Sequence, residues 1–210
     1  MAPRSKVLIL AFVCFAGILG VGAALVWRHS AAPPALAIGT YLSPRRALAD
    51  FNLIDQRGQA FGPNNLRNHW SLLFFGYANC PEFCPTTLTT VAAMMKRLRA
   101  SGAAVLPQVI FVSVDAKRDT PQQLAQYVPY FDPEFIGVTA ADQPTIEAVA
   151  HEFGVAVVIE PKNADGSYAV DHSSVILVLD PSGKLAAILT GPFTAEALQA
   201  DFQRIVTGPA

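Results

Sequence analysis

The 210-residue sequence predicts an α/β fold: a mixed central sheet with helices on both faces, preceded by one N-terminal transmembrane helix. Three observations carry that prediction. Apolar runs of strand length alternate with stretches of helical periodicity. The chain closes on a β-hairpin and a helix. One charge-free run near the N-terminus has the length of a bilayer.

That first run, residues 7–27, contains no charged side chain. At about 1.5 Å per residue it reaches about 31 Å, the thickness of a hydrocarbon core. Arg4 and Lys6 precede it and Arg28 follows. The small positive bias places residues 1–6 in the cytoplasm and the remainder outside. The run is longer than a signal-peptide core, and the one A-x-A candidate, Ala35-Leu36-Ala37, lies well past its end, so an uncleaved anchor is expected. Phe12 and Val13 are too bulky for a lipid-attachment site at Cys14, which reads as a small apolar residue of the span. The few residues ahead of the span leave no room for a mitochondrial transit peptide. A bacterial inner membrane, crossed once, with the C-terminal domain in the periplasm, is the expected location.

Residues 28–47 read as a linker; its centre lacks charge and holds Pro33-Pro34. Residues 48–210 read as one domain, long enough to fill a single core. Within it, residues 51–54 and 59–61 flank Asp55-Gln56-Arg57-Gly58, a hairpin signal. The run SLLFFGY at 71–77 is continuously apolar, as a strand buried on both faces should be. Leu88, Val91, Ala92, Met95 and Leu98 follow at helical spacing. VIFVSV at 109–114 is a second buried strand, and Pro121 opens a helix to about Phe131. A short strand at 136–138 precedes a helix at 144–153 that puts Ile146, Val149, Ala150 and Phe153 on one side. VILVL at 175–179 turns at Asp180-Pro181-Ser182-Gly183 into a strand at 185–189, and Thr194 caps a last helix through Ile205. A βαβ opening followed by a hairpin and a helix is the order of a thioredoxin-like fold.

Net charge is −1 and the sequence pI is about 6.4. That balance argues against nucleic acid as a partner. The chemistry concentrates instead in NCPEFCP at 79–85. Cys80 and Cys84 follow the central strand and open a helix, at the sheet end where α/β folds place ligands. The helix N-terminus favours thiolate. A structural disulfide is the plain alternative, but closing so small a loop stabilises by only about 2 kcal/mol on the chain-entropy model. Three histidines of the outer domain could join the sulfurs. His151 falls opposite the apolar side of its helix. His69 precedes the central strand, at the wrong end of the sheet. His172 precedes the strand at 175–179, and the loop entering that strand faces the cysteine loop in a thioredoxin-like fold. Asp171 stands beside it as a candidate hydrogen-bond partner for the imidazole. Two thiolates and an imidazole form a soft set that suits Cu(I) and, with the nitrogen, Cu(II). Zinc accepts the same three ligands.

The run FGYANCPEFCPTTL at 75–88 resembles the signature of the Sco/SenC family. FVSVD at 111–115, RDTP at 118–121, YAVDHS at 168–173 and LDPSG at 179–183 resemble further family segments in the same order. The resemblance implies a thioredoxin-like copper-binding protein used in cytochrome c oxidase assembly. It places the copper ligands on Cys80, Cys84 and His172. The implied role is a metallochaperone, rather than an enzyme, that delivers copper to the binuclear copper centre of oxidase subunit II, with a periplasmic protein as copper donor. The alternative it carries is a thiol–disulfide oxidoreductase that reduces that centre's cysteines with Cys80 and Cys84. One position departs from the family pattern: Ala116 stands where proline usually follows the aspartate.

Overall fold

The computed structural model describes residues 35–208, together with Gly17. The expected anchor and Cys14 lie outside the described residues. Among the described residues no helix is long and apolar enough to cross a membrane.

The strands run β1 (Gly39–Arg46), β2 (Leu53–Asp55), β3 (Ala60–Phe61), β4 (Ser71–Gly76), β5 (Gln108–Ser113), β6 (Ile136–Thr139), β7 (Val157–Ile159), β8 (Val170–His172), β9 (Val175–Leu179) and β10 (Leu185–Thr190). The helices are α1 (Phe83–Ala100), α2 (Pro121–Tyr127), α3 (Gln143–Glu152) and α4 (Ala195–Thr207). Eight strands form one mixed sheet in the order β1-β10-β9-β4-β5-β6-β2-β3. β4, β5 and β6 are parallel neighbours, and β9 runs antiparallel to β4. β4 is buried along its whole length, which is why its sequence is apolar at every position but the ends.

Successive side chains of β4 point to opposite faces of the sheet, and ring contacts show what covers each. Phe74 meets Phe83 of α1 and its in-register neighbour Phe111, which in turn meets Tyr127 of α2. Trp70, of the same parity, meets Phe202 of α4. Phe75, on the other face, meets Phe153 at the end of α3. Helices therefore cover both faces, as the alternating pattern predicts. Three caps fix helix starts: Thr120 accepts from Gln123 N at 3.3 Å, Asp142 from Thr145 N at 2.9 Å and Thr194 from Ala197 N at 3.2 Å.

Two elements depart from the sequence reading. The end of the expected linker, residues 39–46, is β1, which pairs antiparallel with β10. Gly39 is needed there: a Cβ would lie 2.5 Å from the Ile188 carbonyl oxygen. The domain thus begins before residue 48. Asp201 of α4, fully buried, ties down the approach to this strand by accepting from Ala37 N and Ile38 N, both at 2.9 Å. The second departure is β7–β8, a separate two-stranded sheet in which Val157 pairs with His172. His172 therefore ends a strand rather than sitting in a plain loop. The remaining differences are at ends: α2 stops at Tyr127 and passes into a short 3₁₀ turn over Val128–Tyr130, in line with Pro129 interrupting the α-helical pattern.

Candidate metal centre

Two chain segments meet at the carboxyl end of β4. The first is the turn from β4 into α1, closed by Cys80 N donating to the Tyr77 carbonyl at 3.1 Å. It leaves Cys80 half-buried and Cys84, in the first turn of α1, fully buried. Both thiols are free. The Cys84 amide donates to Cys80 Sγ at 3.4 Å. Gly76 lies beneath them: a Cβ there would sit 2.9 Å from Cys84 Sγ and 2.8 Å from the Phe111 ring. The sulfur occupies space that only glycine leaves open.

The second segment is the β7–β8 hairpin. It brings His172 Nε2 to 3.7 Å from Cys84 Sγ. The other ring nitrogen, Nδ1, is 3.2 Å from the Ser173 carbonyl oxygen. A carbonyl can only accept, so Nδ1 carries the proton and Nε2 is left with a lone pair facing the sulfur. Phe74, Tyr77 and Phe83 surround the imidazole with their rings roughly edge-on, at centroid distances of 6.2–6.3 Å. This apolar box holds the ring in one orientation.

Burial sets the protonation of the pair. Desolvation pushes the Cys84 thiol well above its ordinary range, with contact from Cys80 adding to the effect. Desolvation pulls the His172 imidazole below its ordinary value. Both groups are held neutral without metal. The helix N-terminus was expected to favour thiolate at both sulfurs; at Cys84 loss of water outweighs it.

A metal about 2.3 Å from sulfur and about 2.0 Å from nitrogen, at a trigonal or tetrahedral angle, needs about 3.5–3.8 Å between the two donors. The Cys84–His172 separation of 3.7 Å fits that span. Among the described residues no three His, Cys, Asp or Glu side chains form a ready-made metal cage. Cys84 is the shared neighbour: its amide meets Cys80 Sγ and its own sulfur faces His172 Nε2.

The other candidates fall away from this point. His69 lines a polar cavity with Asp55, Arg57 and Gln108 at the opposite end of the sheet, and His151 is exposed on α3. Asp171 does not take the place expected for it. Its side chain is exposed, and the Nδ1 proton goes to the Ser173 backbone instead. Sequence reasoning also passed over the aromatic box. Its signal was Tyr77 and Phe83 flanking the cysteines, whereas a backbone acceptor such as Ser173 leaves no trace in side-chain identity.

The model of the SCO1/SenC family matches residues 40–207. The chain belongs to the SCO1/SenC family. An SCO2-like protein of Rickettsia felis is 35% identical over 171 residues, covering 80% of this chain and 82% of that one. A putative copper-binding protein of Stutzerimonas stutzeri is 34% identical over 159 residues, covering 75% and 76%. Among solved structures, Arabidopsis thaliana ScoI with copper bound superposes with a TM-score of 0.71 at 30% identity, covering 76% of this chain and 97% of that one. The SCO1/SenC match begins within β1, in agreement with a domain that includes that strand. Ala116, the departure from the family pattern, has a local cause in this SCO1/SenC chain. Its amide donates to Gln143 Oε1 at 3.1 Å, a bond proline could not make, while Gln143 Nε2 donates to the Val114 carbonyl at 2.9 Å.

Proposed function

We propose that this SCO1/SenC domain is a copper-binding metallochaperone that holds copper between Cys80, Cys84 and His172. Its recipient is the binuclear copper centre of cytochrome c oxidase subunit II, and a periplasmic protein supplies the metal. The observation that carries the reading is the Cys84–His172 pair: donors 3.7 Å apart, with the imidazole lone pair aimed at the sulfur and its far nitrogen engaged. Copper is the cargo. The two sulfurs suit Cu(I), and the imidazole extends the set to Cu(II). Cys80, half-buried at the rim, is the sulfur a partner's thiolate reaches first, so handover by ligand exchange begins there. The copper-bound relative among the solved structures supports copper over zinc. The apolar run at 7–27 supports a single-pass anchor that keeps the domain at the periplasmic face, beside a membrane-bound recipient.

The arrangement of one accessible and one buried thiol also supports a second reading, a thiol–disulfide oxidoreductase. There Cys80 thiolate attacks a partner disulfide and releases one partner thiolate. Cys84, giving up its proton, attacks the mixed disulfide and releases the second. Two electrons pass to the partner and a Cys80–Cys84 disulfide remains. The proton of Cys84 passes to His172 Nε2, the base that faces it, but the raised Cys84 thiol slows that second step, so the copper reading is the better supported.

The test is a copper titration of the reduced full-length chain in detergent, compared with His172→Ala. The expected result is one Cu(II) per chain with a thiolate-to-copper absorption band in the wild type. In the variant the band should shift and the affinity fall by about tenfold or more. Equal affinity and an unchanged band in His172→Ala would overturn the three-ligand site. Reduction of a subunit II disulfide by a chain that takes up no copper would establish the oxidoreductase instead.

A further inference from the structure

We infer that Arg118 is a positioning residue that sets His172 against Cys84, acting on the copper site proposed above without touching it. The guanidinium lies between the two segments that carry the ligands. Its Cζ stands 3.7 Å from the centroid of the Tyr168 ring, four residues before His172, and 5.5 Å from that of Tyr77, three residues before Cys80. Its Nη1 donates to the Tyr168 carbonyl at 3.0 Å, and its Nε pairs with Asp115 Oδ2. The other oxygen of Asp115, a fully buried carboxylate, accepts from the Tyr168 hydroxyl at 2.8 Å. One buried carboxylate thus grips the hairpin twice, once directly and once through Arg118.

Tyr77 completes the bridge. Its ring meets the imidazole edge-on at 6.3 Å. The backbone ladder of β8 runs to β7 and not to the main sheet, as in Ser173 N donating to the Ala156 carbonyl at 3.1 Å, because β7–β8 is a sheet of its own. Val158 and Ile159 on β7 are exposed, and on β8 Val170 alone is fully buried, so burial anchors the hairpin at one point. The Asp115–Arg118–Tyr168 cluster supplies a second anchor beside Val170 and the rings around the imidazole, and it fixes the approach to His172. A guanidinium suits the task and an ammonium does not: it must stack flat on a ring while donating in two directions.

The experiment compares the full-length wild type, Arg118→Met, His172→Ala and the double variant. Cu(II) and Cu(I) affinities, the thiolate-to-copper band and electron paramagnetic resonance are read for each. Arg118→Met should weaken Cu(II) about tenfold or more and lose imidazole-nitrogen hyperfine structure, while Cu(I), held by the sulfurs, changes far less. In the His172→Ala background the same substitution should weaken Cu(II) no further, since its effect passes through His172. Full affinity in Arg118→Met, or an equal loss in both backgrounds, overturns the inference.

A second arm needs no metal. Amide exchange over residues 169–173 should accelerate about tenfold or more in Arg118→Met, with β4 and β5 unchanged; unchanged exchange at 169–173 overturns it too. If the wild type itself binds no copper, the proposed function fails, and this arm still decides the positioning role. Should Arg118→Met not fold, Arg118→Lys, which keeps the charge and loses the planar fork, carries the same comparisons.

Discussion

At the scale of single residues, Cys84 and His172 are both held neutral by burial, and the two shifts have opposite signs. Without metal the folded chain keeps the Cys84 proton at a pH where the unfolded chain releases it, from about pH 8.5 upward. The stability this group contributes is therefore present below that pH and lost as pH rises above it. His172 stays neutral in the folded chain where the unfolded chain takes up a proton, below about pH 6.5. Its contribution is present above that pH and lost as pH falls. Urea midpoints of the metal-free protein across both limits should show the acid limb flattened by His172→Phe and the alkaline limb flattened by Cys84→Ala. Limbs unchanged by those substitutions would contradict the assignment. The cysteines were legible in the sequence because a strand, a C-x3-C loop and a helix start lie within a few residues of one another. His172 lies 88 residues from Cys84; composition and spacing left three histidines open, and periodicity counted against His151 and sheet polarity against His69. Resemblance to the Sco/SenC segments, then the 3.7 Å contact, separated them.

At the scale of elements, legibility followed burial. β4 and β5 are covered on both faces, and their sequences are apolar at every position between the end residues. β1 escaped notice because it is an edge strand, where Pro44, Arg45 and Arg46 are tolerated and alternation is not required. β7 carries a β-branched Val-Val-Ile run, but in a two-stranded sheet that faces solvent the pattern has no core to answer to. β1 is held by the ladder to β10 and by Asp201. Asp201→Ala removes the acceptor for two backbone amides and leaves Arg204, which also pairs with Asp201, without that partner. The expected cost is about 1–3 kcal/mol, read as a lower urea midpoint at unchanged slope, with faster amide exchange at residues 37–41. A midpoint equal to wild type would mean that β1 does not depend on Asp201.

At the scale of the whole molecule, the sheet does two things for the site. It fixes the carboxyl end of β4 as a rigid base, and it places β9 beside β4 so that the hairpin entering β9 returns over the cysteines. The order of strands and helices was legible because each crossover repeats the same pattern of apolar strand and amphipathic helix. What joins the hairpin to the base was not, because the Asp115–Arg118–Tyr168 cluster is built from charged and polar residues whose meeting is a tertiary fact. The central claim is that two sulfurs from the helix start and one nitrogen from the hairpin share one copper. X-ray absorption at the copper edge of the loaded full-length chain tests it most directly. The expected shell is two sulfurs at about 2.3 Å and one imidazole nitrogen at about 2.0 Å, with the nitrogen lost in His172→Ala. A copper shell with a single sulfur, or one that keeps its imidazole in His172→Ala, would contradict it.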